Sequence, residues 1–268
     1  MIVDAHVHVV ATDRDRYPLC PGTATNPWYE THPCDADDLV GLLAGAGVDR
    51  AVLVQAVGAY SFDNTYVLDA TAARAGTFAS VVCTDRAAAD PVGAVGDLVR
   101  GRGAGGYRWF TVGDDPRLAQ PAGLWTALAA LRVPVLVVCF PDRLDELVEL
   151  VPRLPAVPLV LDHCGFATFG RGIPDALAAL AAIPTVHLKV TTEVLRAAAD
   201  AGEPADLVAE LMARSGGRCL WGSDWSQTHD VPYGELVAAG RRAAAGLTAA
   251  DRDAFLGGTA LTLWPRLA

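Results

Sequence analysis

The order of the apolar runs constrains this chain most. Eight short β-rich runs, at residues 2–9, 51–56, 77–84, 105–110, 133–140, 158–163, 185–192 and 218–224, alternate with Ala/Leu-rich segments. Those segments carry a helical period near 35–46, 64–75, 91–101, 121–131, 142–152, 173–182, 203–214 and 233–245. Several open on cap signals: Asp35, Asp90 with Pro91 behind it, and Asp142. Strict alternation demands a parallel sheet, because each strand is followed by a crossover helix, and eight units predict a single closed (β/α)8 TIM barrel. An open doubly wound sheet usually carries a Gly-rich phosphate loop after its first strand, and residues 11–16 hold no glycine. No Gly/Ser-rich or charged linker divides the chain, so residues 1–268 read as one domain. The longest irregular stretch, residues 10–34, follows the first strand and is expected to cover the C-terminal mouth of the barrel.

Composition narrows the partners. A chain of 268 residues with 52% hydrophobic and 19% charged content buries a sizeable core. The formal net charge of -10 opposes nucleic-acid and acidic-membrane surfaces, which need clustered Lys and Arg. It leaves room for a local cationic pocket, and a small-molecule substrate is the expected partner; a homodimer stays open. No apolar run reaches the roughly 18 residues of a membrane span. The N-terminal stretch is broken by Asp4, His6 and His8 and does not read as a signal peptide, and the six cysteines form no C-x-x-C pair. A reduced, cytoplasmic compartment is therefore expected.

The first run contains D-A-H-V-H, with polar groups at every second position. Simple strand parity turns Asp4, His6 and His8 toward the barrel axis and Val3, Ala5, Val7 and Val9 outward under the helices. The same test groups His187, Lys189 and Thr191 on one face of strand seven, and sets His163, Asp224 and Arg108 late in strands six, eight and four. Polar residues thus gather at strand C-terminal ends, where barrel active sites are built. Imidazoles at i and i+2 suit a divalent metal or a pair of donors aimed at one substrate oxygen. The bland alternative is a buried hydrogen-bond network. Arg108 is a carboxylate clamp or an ion-pair partner, and the lone lysine, Lys189, contacts substrate or pairs with a neighbouring acid. Gln55 and Asn64 bind substrate or brace the second βα loop. Trp28, Tyr29 and Tyr60 line a pocket or pack the lid. Arg196 is a second anion contact or a solvated arginine, and of His32, His187 and His229, which carry less of the site, His187 is expected deep in the barrel and His229 on the loop after strand eight.

D-A-H-V-H, L-D-H-C-G (161–165), L-K-V-T (188–191) and W-G-S-D-W (221–225), in this order, resemble the amidohydrolase superfamily, in its amidohydrolase-related branch of small barrels. Residues 53–70 and 103–108 look like the side of that branch holding pyrone dicarboxylate and sugar lactonases. The resemblance implies that His6 and His8 bind metal, as in the decarboxylases, or polarise the substrate carbonyl, as in metal-free lactonases. It implies that His163 contacts the scissile carbonyl, that Asp224 is a metal ligand and/or general base, and that Arg108 holds a substrate carboxylate. A single Zn2+ or Mn2+ would rest on His6, His8 and Asp224, with His163 or Cys139; metal-free catalysis is the other option. The chain departs from the family pattern at three points. Cys139 ends strand five where metal-binding members place a histidine, W-F-T-V-G-D-D follows Arg108 where the lactonases carry a second arginine, and G-G-T-A (257–260) replaces G-G-N-A. The implied activity is hydrolysis of a lactone or related cyclic ester of a small carboxylated compound by activated water. The alternatives are a metal-dependent decarboxylase of an aromatic or unsaturated acid and a non-catalytic ligand-binding barrel.

Overall fold

A computed structural model describes residues 1–20, 27–110 and 123–268. Part of the loop after strand one (21–26), the stretch after Arg108 from residue 111 and the first two residues of the predicted helix at 121 lie outside the described residues. Eight parallel strands follow one another in sequence order: β1 (Val3–Val7), β2 (Arg50–Val54), β3 (Phe78–Val82), β4 (Gly106–Phe110), β5 (Val135–Val138), β6 (Leu159–Leu161), β7 (Val186–Thr191) and β8 (Cys219–Gly222). The barrel closes where β8 returns to β1: Asp224 N donates to His6 O at 2.9 Å and His8 N to Trp225 O at 2.5 Å.

The predicted helices appear with trimmed ends, among them Ala36–Ala46, Thr65–Ala73, Pro204–Ser215 and Tyr233–Ala243. Asp35 caps the first of these by accepting from the amides of Asp37 and Asp38, and Asp90 accepts from Gly93 N ahead of the helix Pro91–Gly96. Asp142 is not a cap: it sits inside a 3-10 turn, Pro141–Arg143, and the helix proper is Leu144–Leu150. Helix Thr192–Ala199, placed directly after β7, and the short C-terminal helices Ala249–Asp253 and Thr259–Leu263 have no counterpart in the sequence reading.

Two apolar layers hold the barrel. Outward side chains such as Leu53, Tyr107, Trp109, Val137, Leu161, Leu188 and Trp221 meet the helices. Inward side chains Val3, Ala5, Val52, Val54, Ala79, Val81, Leu136, Val160 and Leu220 fill the lower interior, which Trp264 and Leu267 close from below.

Strand one corrects the parity expectation. Val3 and Ala5 lie inside with that lower layer, whereas Asp4 faces outward to Tyr233 on an external helix. The cause is a bulge: Val3 pairs with Arg50 and Asp4 with Ala51, but Val7 pairs with Leu53, so three steps on β1 oppose two on β2. Beyond the bulge the alternation resumes with Val7 outward, so His6 and His8 face the axis.

Candidate active site

The site is assembled at the C-terminal ends of β1, β4, β6, β7 and β8. His6 Nε2 and His8 Nε2 lie 3.3 Å apart, and each approaches Asp224 Oδ1, at 3.6 and 3.4 Å. The His163 ring centres 4.9 Å from that of His6. His6, His8, His163 and Asp224 are all buried. His163 and Asp224 hold left-handed backbone at φ 54° and 63°, a conformation that costs about 1–2 kcal/mol away from glycine. At β6 the left-handed run His163, Cys164, Gly165 turns the chain off the strand end and aims the imidazole across the barrel mouth.

Hydrogen bonds define the imidazoles. His8 Nδ1 lies 2.9 Å from Val54 O; a carbonyl only accepts, so Nδ1 carries a proton, and Nε2 faces Asp224 Oδ1. His163 Nδ1 shares a hydrogen bond with Thr191 Oγ1 at 2.9 Å, and the ring stacks on Phe166. Lys189 Nζ approaches His6 Nδ1 at 3.2 Å, and as an ammonium it donates there. In the metal-free ring that leaves the His6 proton on Nε2, facing His8 and Asp224.

A buried ionic group supports the histidines from below. Lys189 Nζ lies 2.8 Å from Asp162 Oδ1, Arg108 Nε donates to Asp162 Oδ2 at 3.2 Å, and Lys189 and Asp162 are wholly buried. Burial opposes the charge on Asp162, but Lys189 foremost, and Arg108 with it, hold its carboxyl well below the usual range. Burial lowers Lys189, against the pull of Asp162. Burial also lowers His6 and His163, with the Lys189 charge adding to the effect, so both rings are neutral near pH 7. Burial opposes ionisation of Asp224 too, but its contact with His8 outweighs burial and holds its carboxyl below the usual carboxylate range.

The structure sorts the remaining candidates. Arg108 is both at the site and ion-paired. Lys189 pairs with Asp162 rather than standing free for substrate. Gln55 braces the second βα loop by donating to Ser61 O and Asp63 O. Asn64 ties that loop to the end of β3, donating to Phe62 O and Cys83 O and accepting from Cys83 N. Both residues proposed for substrate contact are thus engaged by backbone. Trp28 and Tyr29, after β1, and Tyr60, after β2, are buried, with Trp28 tilted on His8 at 5.7 Å between ring centres. Arg196 pairs with Asp230 on the surface. His32 stacks on His229 at 3.8 Å, and His187 sits two residues before Lys189 on the same strand face.

Asp162 escaped the sequence reading although it stands in L-D-H-C-G. Its signal was available: parity turns it inward from Val160, on the strand beside the lone lysine.

Metal-ligand reach is met by His6, His8 and Asp224, whose donor atoms lie within 4.8 Å of one another. These residues fit a divalent ion: Asp224 Oδ1 is buried without a hydrogen-bond donor, and three protein ligands with an open position match catalytic zinc. Cys139 does not join them. Its Sγ turns to Phe140 O, burial pushes its thiol up to about 12, and it belongs to no such cluster among the described residues.

A candidate 2-pyrone-4,6-dicarboxylic acid hydrolase from Pseudomonas putida superposes with TM-score 0.79 at 25% identity, covering 100% of this chain and 98% of that one. An amidohydrolase from Burkholderia multivorans with bound zinc shares the fold at TM-score 0.77 and 23% identity, over 99% of both chains. The 5-carboxyvanillate decarboxylase of Sphingomonas paucimobilis shares it at TM-score 0.71 and 14% identity, over 98% of both. No curated protein sequence matches. The Amidohydrolase family model spans residues 3–266, and the chain therefore belongs to the amidohydrolase family.

Proposed function

We propose that this protein opens a lactone or related cyclic ester of a small carboxylated compound with activated water. The observation that carries the reading is the convergence of the Asp224 carboxylate with His6, His8 and His163 at one point of the barrel mouth. Ester hydrolysis needs a base for water and donors for the tetrahedral oxyanion. Asp224 is ionised at neutral pH and its Oδ1 lacks a donor, so it can take a proton from water seated against it. The neutral imidazole of His6, with its proton on Nε2, is the donor best placed for the oxyanion, and His163 flanks it. Arg108, anchored through Nε by Asp162, is the cation suited to a substrate carboxylate. A divalent ion, when bound by His6, His8 and Asp224, would supply Lewis-acid polarisation of the carbonyl and a more acidic water.

Metal-dependent decarboxylation of an aromatic or unsaturated acid is the second reading, favoured by that same three-ligand cluster. A panel of carboxylated lactones, including 2-pyrone-4,6-dicarboxylate, and aromatic acids separates the two, assayed for ring opening and for CO2 release with and without Zn2+. Ring opening that Asp224→Asn reduces about 1000-fold is expected. CO2 release from an aromatic acid, abolished by chelation, would replace the first reading with the second. Binding without turnover would leave a ligand-binding barrel.

A further inference from the structure

We infer that Asp4 and Tyr233 are positioning residues: together they hold the strand-one bulge that sets His6 against Asp224. A single buried carboxylate ties β1, which leads to His6 and His8, to the end of β8, which leads to Asp224. Asp4 Oδ1 accepts from His6 N at 3.2 Å and from Ser223 N at 2.8 Å, and Oδ2 accepts from Tyr233 Oη at 3.0 Å. Ser223 immediately precedes Asp224, whose own amide donates to His6 O at 2.9 Å. The bulge takes the His6 amide out of regular pairing with β2, and Asp4 supplies the acceptor it would otherwise lack.

The geometry around His6 leaves little slack. A Cβ on Gly222 would stand 2.7 Å from His6 Cβ and 2.9 Å from His6 N, so β8 passes this close to the bulge only because residue 222 is glycine. Without the Asp4 bridge, two pleats would compete: the bulged one, with Ala5 and His6 both inward, and the regular one, which turns His6 away from Asp224. Tyr233 opens the helix that follows the β8 loop, and its hydroxyl fixes which rotamer Asp4 keeps. The Asp of D-A-H-V-H therefore acts through backbone amides, from outside the barrel, and touches no reacting atom.

The test reads His6 directly. Side-chain 1H–15N spectra of 15N-histidine-labelled full-length Asp4→Ala, Asp4→Asn and Tyr233→Phe are compared with the parent, alongside melting temperature and 2-pyrone-4,6-dicarboxylate turnover. In Asp4→Ala the His6 and His8 resonances are expected to move while those of His32 and His187 stay, with kcat falling about 100-fold at little changed KM, the consequence of misplacing reacting groups by about 1 Å. Asp4→Asn retains an oxygen acceptor for both amides and is expected to recover most of the loss, and Tyr233→Phe to fall between. A folded Asp4→Ala with parental His6 resonances overturns the inference. If Asp4→Ala does not fold, Tyr233→Phe decides: parental His6 resonances and parental kcat overturn it. The kinetic arm rests on the lactone-opening reading; a parent inactive on this lactone counts against that reading, while the resonances still decide the positioning role.

Discussion

The two halves of the barrel interior are built from the same strands and share almost no chemistry. Below lie Val3, Ala5, Val52, Val54, Ala79, Val81, Leu136, Val160 and Leu220, sealed by Trp264. Toward the C-terminal ends of the strands lie His6, Arg108, Asp162, Lys189 and Asp224. Lys189 has the same inward parity as His187, and Asp162 the same as Val160. The lower half excludes water with largely apolar side chains. The upper half brings two cations and two carboxylates into a buried space where each is tolerable only because of the others. Stability and chemistry are thus stacked along one axis, with the apolar layer as the floor that holds the charged layer out of bulk solvent.

That division predicts opposite responses. The largest stability effect belongs to the upper half: Lys189→Met removes the closest cation from Asp162 and is expected to cost about 3–5 kcal/mol in chemical denaturation, with turnover lost as well. Asp162→Asn in the same background should restore part of the stability but not the activity, because it removes the stranded charge. Leu136→Ala, in the floor, is expected to cost about 2–4 kcal/mol, while the folded fraction keeps the parental kcat and KM. A floor mutant whose kcat falls independently of stability would break the division. Mild acid is the smallest perturbation, and in the upper half it acts through His6 and His163. His6 and His163 have folded pKa values below 6.5, so as pH falls below 6.5 the unfolded chain takes up protons that the folded chain refuses. Stability is then expected to decline by up to about 1.4 kcal/mol per pH unit for each ring. The acid limb of kcat/KM should accordingly lie below pH 6.5, read from a pH–rate profile.

Most of the fold was legible because its signals are local. Eight apolar runs, helical periods between them and caps at Asp35 and Asp90 depend on neighbours a few residues away, and the barrel follows from their alternation. The site was legible in outline for the same reason: His163, Asp224 and Arg108 sit at strand ends, and ends follow from the runs. Asp4 was misplaced because a bulge is created by pairing with another strand and leaves no mark on the residues it displaces. Asp162 was missed because its significance lies in Lys189, 27 positions away in sequence and 2.8 Å away in space. Gln55 and Asn64 follow the bracing one of their two readings, since polar side chains near a mouth become braces once a loop supplies carbonyls.

Periodicity and strand-end chemistry therefore determined the architecture, the location of the candidate site and most of the residues that converge there. Only the tertiary structure decided which way Asp4 turns, which acid neutralises Lys189 and Arg108, which nitrogen of His8 donates to Val54 O, and that Cys139 stands apart from His6, His8 and Asp224. The physical reason is range: backbone propensity acts over one turn or two strand steps, whereas ion pairing, tautomer choice and bulge register are settled by groups that meet only when the barrel closes.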